Sequence, residues 1–446
     1  NHLYSNKLFS NAVIYSGTYQ NQLFFNPNFW KAELGSLGFK MNFTHYRREG
    51  FEEKFGLELQ SFFTNPGSLS LDTTDNILPI PNLTPNYSWK PAAYHQAEWK
   101  IKRKWKARAG IRMTGWNRNG PDTYYTFDEN YEVNDTIRVG RRVYNRYLNL
   151  DPRLSLRFEI NPSSQLKLSY GTYHQYLQLA SNSISPFTSL EVWLPAGPNI
   201  FPQSSRQWSL GYLKYWERAK MEFSASAYHK FSDGQMEFKP HANTYLNPLL
   251  EGELRFGTSR AYGVELLLKK EFGRLNGWMA YTYSRTFRTI LGINEGREYP
   301  AIQDRPHDFS LFLNYRLSDR SLMSVYWTSF SGANFSSPTG FLSFNDQPVP
   351  IYDEKNNDRL PAYHRMDVSI KIRLNKQVDR KYQHSLTFSM YNILGHINPY
   401  IVQFNKIPTE SITHAVKTNI LSETPINPSQ ISLGRFLPSI SYRFKL

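Results

Sequence analysis

The sequence predicts an all-β protein, a transmembrane antiparallel β-barrel with about 16 strands in this chain. Three observations predict it. Apolar and polar residues alternate along segment after segment, and no apolar run approaches the ~18–20 residues of a membrane helix. Most segments run about 9–12 residues, longer than the ~5–6 of a globular strand and matched to a tilted bilayer crossing. The connections alternate short and long, which gathers the long ones at one end, as in bacterial outer-membrane barrels.

Composition fits this reading. A chain of 446 residues can bury a large core. It has no Cys, which suits an oxidising or extracytoplasmic setting. Tyr and Phe number 30 each, yet mean hydropathy is −0.56. Alternation reconciles the two. The opening "NHLYSNKLFSNAVIYSG" lacks the Met, basic n-region and apolar h-region of a signal peptide and already alternates like a strand. It implies a processed chain or one that a larger N-terminal part precedes.

In order, "NAVIYSGTY", "LGFKMNFTHY" and "FGLELQSFF" alternate first. "AEWKIKRKW", "ARAGIRMTGW", "LSLRFEI", "QLKLSYGTYHQYL", "QWSLGYLKYW" and "KMEFSASAYHKF" follow. In "AYGVELLLKK", Tyr262, Val264, Leu266 and Leu268 fall on one face, and Gly263, Glu265 and Lys269 on the other. "GWMAYTYSRTF" precedes "HDFSLFLNYRL", where Phe309, Leu311, Leu313 and Tyr315 oppose Ser310, Asn314 and Arg316. "LMSVYWTSF", "HRMDVSIKIRL" and "HSLTFSMYNIL" lead to the terminal "PSISYRFKL". There Ile440, Tyr442, Phe444 and Leu446 would meet lipid, and Ser441, Arg443 and Lys445 a lumen. Pairing of this last strand with its predecessor and with the first strand would close the barrel. A dry soluble core would not tolerate inward Glu and Arg on strand after strand.

The short connections are "RREGFEE", "RKWK", "NPSS", "WERA", "FGRLN", "LSDR" and "NKQVDRK". The long ones cover roughly 64–91, 117–142, 180–205, 233–258, 288–305, 332–361 and 396–429. Net charge is +15, and much of it sits at the short turns, on Arg47, Arg48, Lys102, Arg103, Lys104, Lys106, Arg218, Arg274, Arg320, Lys376, Arg380 and Lys381. Long side chains there reach lipid headgroup phosphates, and the tryptophan of "KRKWK" suits an interfacial aromatic girdle better than a nucleic-acid patch. No nucleic-acid partner is expected.

At this point the chain resembles TonB-dependent outer-membrane receptors of the Bacteroidetes type. "SYGTYHQYLQLASNSISPFTSLEVWLPAGPNIFPQSSRQWSLGY" resembles their mid-barrel signature, "YPAIQDRPHDFSLFLNYRLS" a late-barrel strand, "RLPAYHRMDVSIKIRL" the strand after the next long loop and "MYNILGHINPY" the penultimate strand. "SRAYGVELLLKK" is similar to a Gly-x-Glu strand of such receptors. The resemblance covers nearly the whole chain. It implies a 22-stranded barrel, of which this chain, residues 1–446, is a C-terminal barrel portion without plug or TonB box. A complete 16-stranded porin-like barrel is the alternative. The implied function is active import of a scarce nutrient (siderophore, haem, peptide or oligosaccharide) energised through the TonB complex. A passive pore or surface-interaction barrel is the second reading. Implied partners are outer-membrane lipid, lipopolysaccharide, the nutrient ligand and a surface lipoprotein. The ending "PSISYRFKL" is unlike that of the large lidded glycan importers.

No catalytic motif appears: His-Glu-x-x-His, Gly-x-Ser-x-Gly and the Walker loop are all missing. No enzyme, metal site or cofactor is expected. "DTYYTFDENYEVND" carries five carboxylates without EF-hand spacing and reads as a solvated loop. Asp304, Arg305 and His307 in "QDRPHD" read as a structural cluster, with Pro306 stiffening the strand entry and Arg305 bonding loop carbonyls or carboxylates. Ligand contacts would come from Trp193 in "EVWLPAGP", from Arg285 and Arg288 where a strand enters its outer loop, and from Arg305 and His307 at that loop's far end. Flat aromatic faces and fixed cations suit an anionic or aromatic chelate. The plainer reading makes Trp193 a rim anchor and has the arginines brace loops or bind lipopolysaccharide phosphate.

Overall fold

The computed structural model describes the chain except residues 26–27, 71–82, 181–191, 245–246, 345–346, 376–381, 407–425, 433 and 446. Lys376, Arg380, Lys381 and Leu446, singled out from sequence, lie outside the described residues. One antiparallel sheet holds 18 strands. They are β1 His2–Ser5, β2 Leu8–Phe25, β3 Asn28–Arg48, β4 Phe51–Ser70, β5 Asn86–Lys102, β6 Trp105–Asn119, β7 Val143–Asn161, β8 Ser164–Gln175 and β9 Gln203–Trp216. There follow β10 Met221–Phe238, β11 Leu254–Lys270, β12 Leu275–Ile290, the two-residue β13 Tyr299–Pro300, β14 His307–Ser318, β15 Ser321–Phe330, β16 Tyr363–Arg373, β17 Gln383–Tyr391 and β18 Leu437–Lys445. Every long strand pairs with its neighbour in sequence, a meander that local turns can build. The short β13 extends the pairing of β12 above β14.

Register confirms the two faces. Leu268, Met279, Leu311, Trp327 and Met366 form one apolar row across five strands. Ile440, Phe388, Ile370, Met323 and Tyr315 form another. The opposite face carries a polar row, Asn276, Asn314, Ser324, Ser369, Ser389 and Ser439. Within it Asn314 Nδ2 donates to Asn276 Oδ1 at 3.3 Å and Ser324 Oγ to Asn314 Oδ1 at 2.6 Å. The terminal apolar residues Ile440 and Tyr442 remain 70% and 59% exposed among the described residues, as a lipid-facing side would be. Trp105 lies on the apolar face near the short turns, 4.5 Å from the Phe158 ring. Lys104 there donates to Ile160 O at 3.2 Å, and Lys106 is paired with Glu98.

Glycines on the inner face give room to tyrosines of the adjacent strand. Gly38 faces Tyr15, Gly56 faces Tyr94 and Gly263 faces Tyr228 in direct register. A Cβ at Gly263 would come within 2.6 Å of Tyr283 O and 3.0 Å of the Tyr228 ring. The Gly of the Gly-x-Glu strand thus has a packing reason. Its Glu265 accepts from Ser226 Oγ at 2.9 Å.

Four expectations need correction. Apart from the four-residue β1 and the two-residue β13, the strands run from 9 to 21 residues, because the hydrogen-bonded ladder continues beyond the lipid, where apolar alternation ceases. The long connections also contain structure of their own: hairpins Asp122–Phe127 with Val133–Val139, Gly340–Phe344 with Gln347–Ile351, and Pro399–Lys406 with Ile426–Ser432. The short–long alternation has an exception at the first hairpin, where Phe25 pairs with Asn28 at the long-loop end. Finally, β18 pairs with its predecessor β17, but among the described residues neither it nor β1 has a second partner, so the pairing does not close.

The face assignment predicts unequal costs for two adjacent substitutions. Leu313→Arg is expected to destabilise by roughly 2–4 kcal/mol near the bilayer midplane, and Asn314→Arg far less. Refolding titrations into lipid vesicles measure both; equal costs would reverse or abolish the faces.

Candidate functional site

The candidate site lies on the inner face at the long-loop end, and an inward-folded connection shapes it. Between β8 and β9, Leu177–Ala180 pairs with Val192–Pro195. Ala180, Val192, Leu194 and Ile200 of this connection share one buried apolar cluster with Trp30 and Ala32 of β3 and with Met236, Phe238 and Leu254 of β10 and β11. Strands β3 and β10 are seven places apart in the sheet, so the connection reaches across the lumen. Its apolar side chains have no lipid to face and bury against each other and the wall instead.

Polar contacts fix the near side of this connection. Trp116 is fully buried, stacks on Tyr176 at 5.3 Å and donates its indole N–H to Ala196 O at 2.9 Å. Tyr147 Oη donates to Gly197 O at 2.7 Å. Buried Arg118 donates to Pro195 O at 3.4 Å and to Asp122 at 3.0 Å, and it also meets Asn86. A Cβ at Gly197 would stand 2.5 Å from Arg118 Nη1, so only glycine lets the two approach. Asn199 ties the same segment to Tyr125 O at 2.8 Å and Glu251 at 2.6 Å. Asp122, one of the five carboxylates in "DTYYTFDENYEVND", is thereby part of the wall. Asp128 accepts from the backbone of Asn130 and Glu132, both at 2.9 Å. No metal-binding group of carboxylates and histidines occurs among the described residues.

A second set of contacts joins three long connections. Asp304 is 1% exposed. Its carboxylate accepts from Arg285 at 3.2 Å, from the Thr286 backbone at 2.6 Å and from Arg359 at 2.6 Å. Arg359 also donates to Gly332 O at 2.8 Å, while Asn334 and Asn356 reach Ala301 O and Pro300 O at 2.7 and 2.9 Å. Nearby, Glu237 of β10 meets both Arg288 and Lys355. Burial, and then this carboxylate, pushes the Tyr299 phenol above its ordinary range, so it stays a neutral hydroxyl.

The five residues singled out from sequence are dispersed. Trp193 meets Tyr19 edge to face at 6.2 Å, and its buried indole N–H has no hydrogen-bond partner among the described residues. Arg285 is committed to Asp304 and Arg288 to Glu237. Arg305 lies over the Phe330 ring at 4.7 Å. His307 stands on the apolar face, in register with Tyr283, and its Nδ1 bonds Tyr281 Oη at 2.9 Å. Among the described contacts no hydrogen bond, ion pair or ring contact joins any two of the five. Sequence reading missed Asp304 and Arg359 as a pair, Glu237, Trp116 and Arg118. Their partners lie 50 or more residues away in four of these contacts, and no local pattern marks them.

Asp304→Asn is expected to loosen this rim. Removing one partner of a buried ion pair costs ~3–5 kcal/mol, reduced to roughly 2 here because Arg285 and Arg359 are partly exposed. Urea titration of the folded barrel reads the loss, and amide exchange at Thr286 should quicken. Unchanged exchange would remove Asp304 from that role.

A family model described as TonB dependent receptor-like, beta-barrel, matches residues 1–393. None of the curated proteins matches the chain. Among solved structures the chain is similar to the ferric-catecholate import receptor Fiu from K12 E. coli in its closed form, with TM-score 0.60, 11% identity, and coverage of 99% of this chain and 62% of that one. It is similar to the ferric yersiniabactin uptake receptor FyuA from Yersinia pestis, with TM-score 0.62, 12% identity, and coverage of 99% and 60%. It is also similar to the copper transporter OprC, with TM-score 0.61, 13% identity, and coverage of 89% and 59%. At such identities the likeness is one of fold, and the chain spans about three fifths of the length of these structures. These neighbours are receptors and transporters, not enzymes. With a family match over most of its length and the same barrel fold, the chain belongs to the TonB-dependent receptor-like β-barrel family.

Proposed function

We propose that this chain is the barrel portion of an outer-membrane receptor of the Bacteroidetes type that imports a scarce nutrient with energy delivered through TonB. The observation that carries the reading is the family match, and the connection folded across the lumen supports it. A passive pore needs a clear channel, whereas a receptor needs a shaped, gated one. The ligand is a siderophore, haem, peptide or oligosaccharide. The names of the similar structures put a metal or ferric chelate first for trial. The single-partnered edges at β1 and β18 support further strands in the whole protein, giving the 22-stranded barrel with its plug, because an unpaired ladder in hydrocarbon is costly. The long loops are extracellular and the short turns periplasmic. Lipopolysaccharide and a surface lipoprotein would meet the long-loop end.

Within this reading Trp193 and Arg305 contact the ligand directly. Arg285 and Arg288 act by bracing the loops, and His307 belongs to the rim next to the bilayer. The supporting geometry is that both bracing arginines already hold carboxylates.

Three measurements test these proposals. The chain has no native Cys, so Glu129→Cys and Ser318→Cys can be labelled without background in intact cells. An impermeant thiol reagent is expected to label Glu129→Cys alone; the reverse pattern inverts the sidedness. Uptake of limiting ferric chelates by cells making the full-length protein is expected to vanish without TonB. Uptake that persists supports the passive pore instead. Trp193→Ala is expected to lower uptake about tenfold at normal surface abundance, the worth of ~1.4 kcal/mol of aromatic contact. Arg285→Ala with Arg288→Ala is expected to lower uptake and surface abundance together, and normal uptake would show that neither matters.

A further inference from the structure

At the short-turn end the inner wall concentrates positive charge that the import reading does not use. A cavity of about 550 Å³ is lined by Arg316 of β14, Arg320 of the following turn, Lys371 and Arg373 of β16, and Arg443 and Lys445 of β18. One carboxylate, Asp319, shares the lining, and its contact with Arg373 is through its backbone carbonyl at 3.3 Å. None of the six cations forms an ion pair among the described residues. Higher on the same wall several cations are compensated: Arg112 by Glu58 at 2.7 Å, Arg365 by Asp367 at 3.1 Å, and Arg288 by Glu237.

Six like charges around one concavity repel, and an anion in it relieves them. Register narrows the kind of anion. Lys371 and Arg373 stand two residues apart on one strand, as do Arg443 and Lys445, which sets each pair ~6.6–6.8 Å apart along its strand. Arg373, Ser385 and Arg443 are in direct register, so the two columns lie two strand spacings apart, roughly 9.5 Å. A lone phosphate is too small to engage a whole column. An extended polypeptide repeats its side chains on one face at the same ~6.6–6.8 Å. The volume also lies within the ~300–1,000 Å³ of ordinary ligand pockets. We propose that this cavity is a docking site for an acidic polypeptide segment in extended conformation, whose carboxylates at alternate positions pair with Lys371 and Arg373 or with Arg443 and Lys445. The docking depends on the inner wall alone and holds whether or not the barrel imports anything.

The test uses the folded chain in detergent micelles and a fluorescent nonapeptide with Glu at every second position and Thr between. Anisotropy titration at low salt is expected to show binding that the Gln version of the peptide lacks. Lys371→Gln with Arg373→Gln, and Arg443→Gln with Lys445→Gln, should each weaken it about tenfold or more, and Lys40→Gln on the inner wall of β3 should not. Tripolyphosphate, or a peptide with its Glu residues in one block, binding as tightly as the alternating peptide would overturn the polypeptide assignment in favour of a general anion site. Should a double variant fail to fold, judged by far-ultraviolet circular dichroism, the unaltered protein still decides. Carbodiimide should join peptide carboxylates to Lys371 or Lys445, and cross-links elsewhere would overturn the site.

Discussion

The rest of the structure depends on the backbone ladder. Hydrocarbon offers no partner to an amide, so a chain that crosses it in strands must satisfy each N–H and C=O from a neighbouring strand. From this come the antiparallel meander, the strict period of two and the strands that outlast the lipid. Side-chain chemistry then divides by face. Lipid takes the row through Leu268, Leu311 and Trp327, and the lumen takes the row through Asn276, Asn314 and Ser324. The same constraint makes the edges at β1 and β18 the least complete part of the described fold.

The inner face bears a second constraint, charge in a confined space. The wall meets it by pairing across strands and loops, as at Arg112 with Glu58 and Arg288 with Glu237. The pairs at the long-loop end join segments far apart in sequence, so they also decide loop position. Asp304 holds β12 through Arg285 and the 332–361 connection through Arg359. The inward connection after β8 is held differently, by apolar burial on β3 and by hydrogen bonds around Trp116 and Arg118.

Legibility follows from this division. Lipid acts uniformly on every strand, so it writes a repeating pattern, and Leu313 against Asn314 or Tyr442 against Arg443 can be assigned by eye. Above the lipid no such uniform solvent acts. The ladder through β2 and β3 therefore continues to Phe25 and Asn28 through "QLFFNPNFW", which is apolar without alternating, and the first hairpin escapes notice. The site is less legible still. Trp193 is conspicuous as a residue type, but its position against Tyr19 depends on a connection that crosses the lumen. Asp304 stands out in "QDRPHD", yet nothing local says that Arg359, 55 residues on, will meet it. His307 stands beside it in sequence, but β14 has begun there and alternation puts it on the apolar face against Tyr283 and Tyr281.

The two ends of the inner wall therefore do different physical work. At the long-loop end, Asp304 and Glu237 hold Arg285, Arg359, Arg288 and Lys355, which fixes loop geometry. At the short-turn end, Arg316, Arg320, Lys371, Arg373, Arg443 and Lys445 face one cavity, with Asp319 the one carboxylate in its lining among the described residues. Solvent and salt moderate that repulsion, but the low-dielectric wall focuses what remains into the lumen. Elsewhere near the short turns Lys106 and Arg108 share Glu98, and Lys54 meets Glu52, so it is the β14–β18 part of that end, whose cavity-lining cations form no ion pair among the described residues, that is organised to meet an anion.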